Sequence, residues 1–363
     1  MSMKTEKGYL VLGDITGYTS YVATTELEHS QEILTELLQL IIKNFQTLLT
    51  IVKVEGDAIF ACAETTSVPN GENILDLVES TYSKFRNRVE NIVYKTSCDC
   101  NACRAIPNLD LKFFIHYGDY VAQNFGGIRD LVGTDVNLIH RLMKNKISDL
   151  TGWTAYALFT EIAISEINLP RDQLFKHEET IEHLGSVMTY NLDLHKYYKK
   201  YQQKNSLRIT LDNADKTFSY EFEFTPTEVW NLVTDPTKRN IVNTDNIWSV
   251  ELRPNGRAGI GATNHCAHGD GEITNETILD WNPFEYFTVE THIDIDQESP
   301  LDAKITYELI PNNNNLYTTL NLYFQFRDNS NKEAINGIFP IIQNNTTRIF
   351  NLNSEIMKKE NSS

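Results

Sequence analysis

An apolar run over residues 8–15 ends in a carboxylate, and this constrains the chain more than any other feature. The segment reads Tyr9-Leu10-Val11-Leu12-Gly13-Asp14-Ile15-Thr16-Gly17-Tyr18-Thr19. Continuous apolar residues over this length predict a strand buried on both faces. A second carboxylate, Asp57, follows in Val52-Lys53-Val54-Glu55-Gly56-Asp57-Ala58-Ile59-Phe60, which predicts a hairpin turning at Glu55-Gly56. An acid just beyond a buried strand and another at a hairpin tip can converge at one sheet edge. Such a pair can hold two divalent cations roughly 3.5–4 Å apart, the spacing used for in-line attack at phosphorus.

The rest of the first half follows a regular order. Helical periodicity predicts helices over residues 27–50 and 73–95. A strand is expected at Leu109–Tyr117 and a helix at Val132–Lys146. The resulting β-α-β-β-α-β order is a ferredoxin-like, split-βαβ arrangement. At 363 residues the chain has the length of two domains. Composition sets the expected boundaries at 1–198 and 214–360, with a polar linker at 199–213.

Net charge is −17 and the isoelectric point is near 5.0. That argues against nucleic acid and anionic membrane as partners, which call for a basic face. A nucleotide remains compatible, because metal ions and a few local cations can carry a triphosphate. No apolar run approaches the roughly 20 residues that cross a bilayer, and no targeting segment is visible. The expectation is a cytoplasmic protein.

Three segments belong together. They are Gly13-Asp14-Ile15-Thr16-Gly17-Tyr18-Thr19, Lys53-Val54-Glu55-Gly56-Asp57, and Asp130-Leu131-Val132-Gly133-Thr134-Asp135-Val136-Asn137-Leu138-Ile139-His140-Arg141, with Phe114-Ile115-His116-Tyr117-Gly118 between the last two. In this order they resemble the catalytic domain of class III nucleotidyl cyclases over about residues 8–195. The resemblance implies that Asp14 and Asp57 bind two Mg²⁺ or Mn²⁺ ions per site, with the Ile15 carbonyl as a further ligand. It implies that Lys53 and Asp130 read the adenine edge, that Asn137 orients the ribose, and that Arg141 stabilises the pentavalent phosphate. It further implies adenylate cyclase activity on a nucleoside triphosphate, at sites shared between the subunits of a homodimer. Asn137 and Arg141 stand at i and i+4 and therefore share a helix face. GTP or a pyrimidine nucleotide as substrate, and a catalytically silent module, are the alternatives. His116 reads as a satisfied core histidine.

Cys98-Asp99-Cys100-Asn101-Ala102-Cys103 places three thiols in six residues. Cys98, Cys100 and Cys103 could supply three ligands to a structural Zn²⁺, which would take its fourth from Cys62, a histidine or a partner subunit. A reduced, redox-sensitive loop without metal accounts for them equally well.

The second half starts with an alternating strand at Lys216–Phe224. Thr225-Pro226-Thr227-Glu228 is a helix start, with Thr as cap, Pro in the first turn and Glu closing a capping box. Six strand-like segments then lead to a helix over roughly Asn331–Lys359, kinked or broken at Pro340. This order resembles the helix-grip fold of START-like proteins, a second α+β domain. That resemblance implies an apolar small molecule in a cavity, and the pairing of the two domains suggests a regulatory role. Trp230, Trp248, Phe287, Tyr307, Tyr323 and Phe339 could line the cavity or form plain core. His265, His268 and Asp270 read as a surface turn.

Overall fold

The structure, a computed structural model, describes residues 5–95, 100–126, 128–202, 207–239, 246–268, 273–293, 301–312, 315–327 and 332–360. The chain divides into two compact units, Met1–Gln203 and Lys204–Ser363.

The first unit opens with β1 (Thr5–Thr16), α1 (Tyr18–Thr24) and α2 (Leu27–Phe45). The hairpin of β2 (Thr50–Glu55) and β3 (Ala58–Glu64) follows, then α3 (Glu72–Lys95) and α4 (Asn101–Ala105). Next come β4 (Asp110–Phe125), β5 (Ile128–Val132), α5 (Thr134–Leu142) and α6 (Ile147–Thr151). The unit closes with β6 (Tyr156–Thr160), α7 (Glu161–Ile167), β7 (Phe175–Ile181), β8 (Gly185–Asp193) and α8 (Leu194–Gln202). The sheet order is β2-β3-β1-β4-β6-β8-β7, with β5 added to β4. Its first four strands pair antiparallel throughout. That is the split-βαβ core: each crossover helix joins two strands that flank a third.

β1 is central because it is apolar on both faces. Leu10 and Leu12 pack with Phe60 and Phe114 and with Val136, Ile139 and Leu142 of α5. On the opposite face, a Cβ at Gly13 would lie 3.1 Å from the Phe45 ring of α2. Three expected elements change bounds, one of them the helix expected over Val132–Lys146, which is α5 from Thr134 to Leu142 with Val132 in β5. The helix expected over 27–50 stops at Phe45, and the β-branched run Thr50-Ile51-Val52 enters β2 instead. The strand expected to end at Tyr117 runs on to Phe125 and returns as β5, turning at Gly126 with a φ of 61°.

The second unit comprises β9 (Lys216–Phe222), α9 (Pro226–Thr234), α10 (Pro236–Arg239), β10 (Asn246–Leu252), β11 (Thr263–His268), β12 (Ile273–Asn282), β13 (Tyr286–Ile293), β14 (Leu301–Asn312), β15 (Tyr317–Phe326) and α11 (Lys332–Glu360). Its seven strands form one antiparallel sheet in the order β10-β11-β12-β13-β14-β15-β9. The Thr225–Glu228 capping box forms in both directions at the start of α9. Phe350 of α11 contacts the rings of Tyr220 and Phe222, and Phe339 meets Phe324 edge-on. Trp230 is buried among Trp281, Phe284 and Phe287, and Phe287 stacks on Tyr307 at 4.6 Å.

Several expectations for this half need correcting. α11 is not broken at Pro340, since the helix continues on both sides of it. His265 and His268 belong to strand β11, not to a turn, and His265 lies 3.1 Å from Ser249 of β10; Asp270 is outside the described residues. In the stretch read as linker, α8 reaches Gln202, while Ile209 is buried and donates its N–H to Thr306 Oγ1. Ile209 lies between Leu207 and Leu211 in an apolar–polar alternation, and it is the buried one of the three. Among the described residues no helix is long and apolar enough to cross a membrane.

Candidate functional site

Asp14 and Asp57 come together at the end of β1. Asp14 pairs across β3 with Ala58 and across β4 with Lys112. Strand alternation puts its side chain in line with Leu10 and Leu12, on the face covered by α5. Asp57 follows Gly56, whose φ of 64° makes the hairpin turn. Its backbone carbonyl accepts the Ile15 N–H at 3.2 Å, which ties the hairpin tip to the strand end.

The electrostatics of this pair are unbalanced. Burial pushes the Asp14 carboxyl up to about 6, and the Asp57 carboxylate adds to the rise while Lys112 opposes it. Asp57 is also raised, by burial. Burial in turn lowers the Lys112 ammonium. Two carboxylates each discouraged from ionising, against one weakened cation, leave room for added positive charge. Their oxygens are the hard donors that Mg²⁺ and Mn²⁺ take. Ile15 directly follows Asp14, with its side chain buried.

A second group lies where β2 meets β5. The Lys53 ammonium is 2.9 Å from Glu55 and 3.7 Å from Asp130 Oδ1. Burial acts to lower Lys53, but Glu55 and then Asp130 outweigh it and hold the ammonium above its ordinary value. Asp130 also accepts the Leu131 N–H. His140 of α5 closes this group, its Nδ1 4.0 Å from Glu55 and its ring 4.8 Å from Phe60. Burial and the Lys53 charge both keep His140 neutral. Glu55 and His140 carried no weight in the sequence, although both lie inside the motifs.

α5 displays the third group. Val136, Ile139 and Leu142 are buried, whereas Asn137 and Arg141 are exposed on the other side. Asp135 turns away from them. It accepts the Asp119 N–H at 2.7 Å and lies 3.4 Å from His116 Nε2. A Cβ at Gly118 would overlap the Asp135 carboxylate, so this approach depends on glycine there. His116 is buried, is kept neutral by that burial, and has its Nδ1 2.8 Å from Thr160 Oγ1.

Of the clustered cysteines, Cys98 lies outside the described residues. Cys100 and Cys103 meet His29. Cys62 is buried in β3, on the face that packs against α5.

Residues 34–150 match a family model described as a protein of unknown function (DUF2652). A protein of Mycobacterium tuberculosis described as uncharacterized is 34% identical over 102 residues, which is 27% of this chain and 46% of that relative. The match therefore spans about half of the relative's length. Solved structures of adenylyl and guanylyl cyclases match about half of the chain. The adenylyl cyclase CyaB from P. aeruginosa is 17% identical with a TM-score of 0.40, covering 53% of this chain and 97% of that one. A guanylyl cyclase is 14% identical with a TM-score of 0.41, covering 53% and 93%.

Proposed function

We propose that the first unit is a nucleotide cyclase that converts ATP to 3′,5′-cyclic AMP and diphosphate. The convergence of Asp14 and Asp57, held by the Ile15 N–H on the Asp57 carbonyl and with both carboxyls raised chiefly by burial, is the observation that carries this reading. Divalent cations held by these carboxylates, with the Ile15 carbonyl as a further ligand, would acidify the 3′-hydroxyl and neutralise the triphosphate. The chain's own residues bind and orient. The Lys53 ammonium donates to adenine N1 and the Asp130 carboxylate accepts from the 6-amino group. Asn137 orients the ribose. The Arg141 guanidinium, always charged and multidentate, takes up charge building on the α-phosphoryl oxygens. The 3′-oxygen forms its bond to the α-phosphorus as the bond to the diphosphate oxygen breaks. The hydroxyl proton passes to solvent.

Asn137 and Arg141 are exposed, and Arg141 has no ion-pair partner among the described residues. This supports a homodimer in which each site takes Asp14 and Asp57 from one subunit and the other four residues from its partner. Glu55 favours a second reading of the base. It lies closer to Lys53 than Asp130 does, and a carboxylate there can accept from the N1–H and 2-amino group of guanine.

The sheet order and terminal helix of the second unit support a START-like helix-grip reading, with an apolar small molecule as ligand and regulation of the cyclase as role. Apolar ligand retained through purification, and a change in turnover on its removal, is the expected result there.

The direct test offers purified chain each of the four nucleoside triphosphates with Mg²⁺ or Mn²⁺ and resolves the products by mass spectrometry. Cyclic nucleotide that disappears in Asp14→Ala supports the reading and names the base. No product from any nucleotide, at concentrations that sustain a dimer, overturns it.

A further inference from the structure

His29, Cys100 and Cys103 meet in space although 71 residues separate the histidine from the nearer cysteine. His29 Nδ1 is 3.2 Å from Cys100 Sγ and 3.9 Å from Cys103 Sγ. All three ligand atoms lie within 4.8 Å of one another. A tetrahedral Zn²⁺ with Zn–S of about 2.3 Å and Zn–N of about 2.0 Å sets sulfur–sulfur and sulfur–nitrogen separations of roughly 3.5–3.8 Å. The observed spacing therefore receives such an ion with side-chain adjustment alone.

The surroundings are built around these three groups. Cys100 caps α4, and its sulfur accepts the Cys103 N–H at 3.4 Å, a contact that stabilises charge on a thiolate. The Glu26 carboxylate, three residues before His29, accepts the N–H groups of Asn101 and Ala102 and so fixes the thiol-bearing turn against the start of α2. Tyr21 is 3% exposed, and its hydroxyl has no hydrogen-bond partner among the described residues.

We propose that His29, Cys100 and Cys103 form a zinc site. Binding releases the two thiol protons to solvent. The dithiolate then cancels the charge of Zn²⁺, leaving a neutral centre in a partly buried pocket. Soft thiolates select zinc over the Mg²⁺ that suits the Asp14–Asp57 pair.

Its position gives it a structural role. The segment after α4 lies against the loop that follows Asp14: a Cβ at Gly17 would be 2.8 Å from the Asn108 carbonyl oxygen. Gly17 has a φ of 88° and precedes α1, which carries Tyr21. Zinc would pin α2 to α4, one short helix away from the carboxylate pair.

The test reads metal, independently of nucleotide chemistry. Full-length chain, expressed with added zinc and exchanged into Mg²⁺ buffer, is analysed by elemental mass spectrometry. One zinc per chain is expected, with bound zinc falling about tenfold or more in Cys100→Ser and His29→Ala. Asp14→Asn should keep its zinc. In wild-type chain, Co²⁺ put in place of zinc should give thiolate-to-cobalt charge-transfer absorption, a readout that needs no variant to fold. Wild-type protein without stoichiometric zinc, a cobalt spectrum without charge transfer, or a Cys100–Cys103 disulfide in reducing buffer each overturns the proposal. So does zinc lost in Asp14→Asn and retained in Cys100→Ser. A cyclase assay that fails while zinc is present leaves this site standing.

Discussion

Asp14 and Asp110 stand at the same end of the sheet, two register steps apart on the paired strands β1 and β4, yet the chain treats them in opposite ways. Asp110 is buried and fully served. His195 Nε2 lies 2.5 Å from it, Thr154 donates at 2.9 Å and Tyr82 at 3.1 Å, and the Leu111 N–H also bonds to it. Burial raises its carboxyl, but His195, then Arg86 and Thr154, outweigh that and hold it below the ordinary carboxylate range. Asp14 is pushed up to about 6 by burial first and then by its neighbour Asp57, with Lys112 opposing. A carboxylate satisfied by its own chain is architecture. One left beside another carboxylate has no such set of partners.

The comparison breaks most sharply in activity. Asp14→Ala or Asp57→Ala should reduce turnover by roughly a thousandfold or more while the fold persists, as checked by single-turnover product analysis and circular dichroism. Asp110→Asn should reverse the pattern and destabilise the unit by about 2–3 kcal/mol in denaturant melts, with its buried partners left unpaired. Arg141→Ala should also be inactive alone. Mixed with Asp57→Ala it should recover roughly a quarter of wild-type activity, because half of the dimers carry one intact site; no recovery would remove the shared-site arrangement.

Acidity sharpens the same contrast. The folded Asp110 carboxyl sits below its unfolded value of about 3.9. Its contribution is therefore complete above that value and is lost as pH falls through the folded one. The stability gap between wild type and Asp110→Asn should hold at neutral pH and shrink below pH about 4. The smallest effect concerns the base. Glu55→Gln leaves Asp130 as the remaining carboxylate on Lys53 and should change the ratio of ATP to GTP turnover by roughly threefold to tenfold, read as kcat/KM for each.

Much of the first unit was legible in local pattern. The apolar run of β1, the turn at Gly56 and the two long crossover helices required only periodicity and turn chemistry. In the second unit the Thr225–Glu228 capping box did the same for α9. Long-range partners were not legible. Nothing near Gly126 announced β5, because a strand added to the far end of β4 is chosen by the edge it finds. Nor did anything near His29 point to Cys100, and the alternation Leu207-Arg208-Ile209-Thr210-Leu211 is too short to say what Ile209 packs against.

The sequence by itself determined that Asp14 ends a buried strand, that Asp57 follows a tight turn, and that Asn137 and Arg141 share a helix face. Each of these follows from backbone geometry within a few residues. Tertiary structure alone decided that Asp14 faces Asp57 while Asp110 finds His195, and that His29 meets two thiols. Periodicity sets which way a side chain points; which neighbour it meets depends on the order of strands and on how helices pack, and both are settled by burial of the whole core.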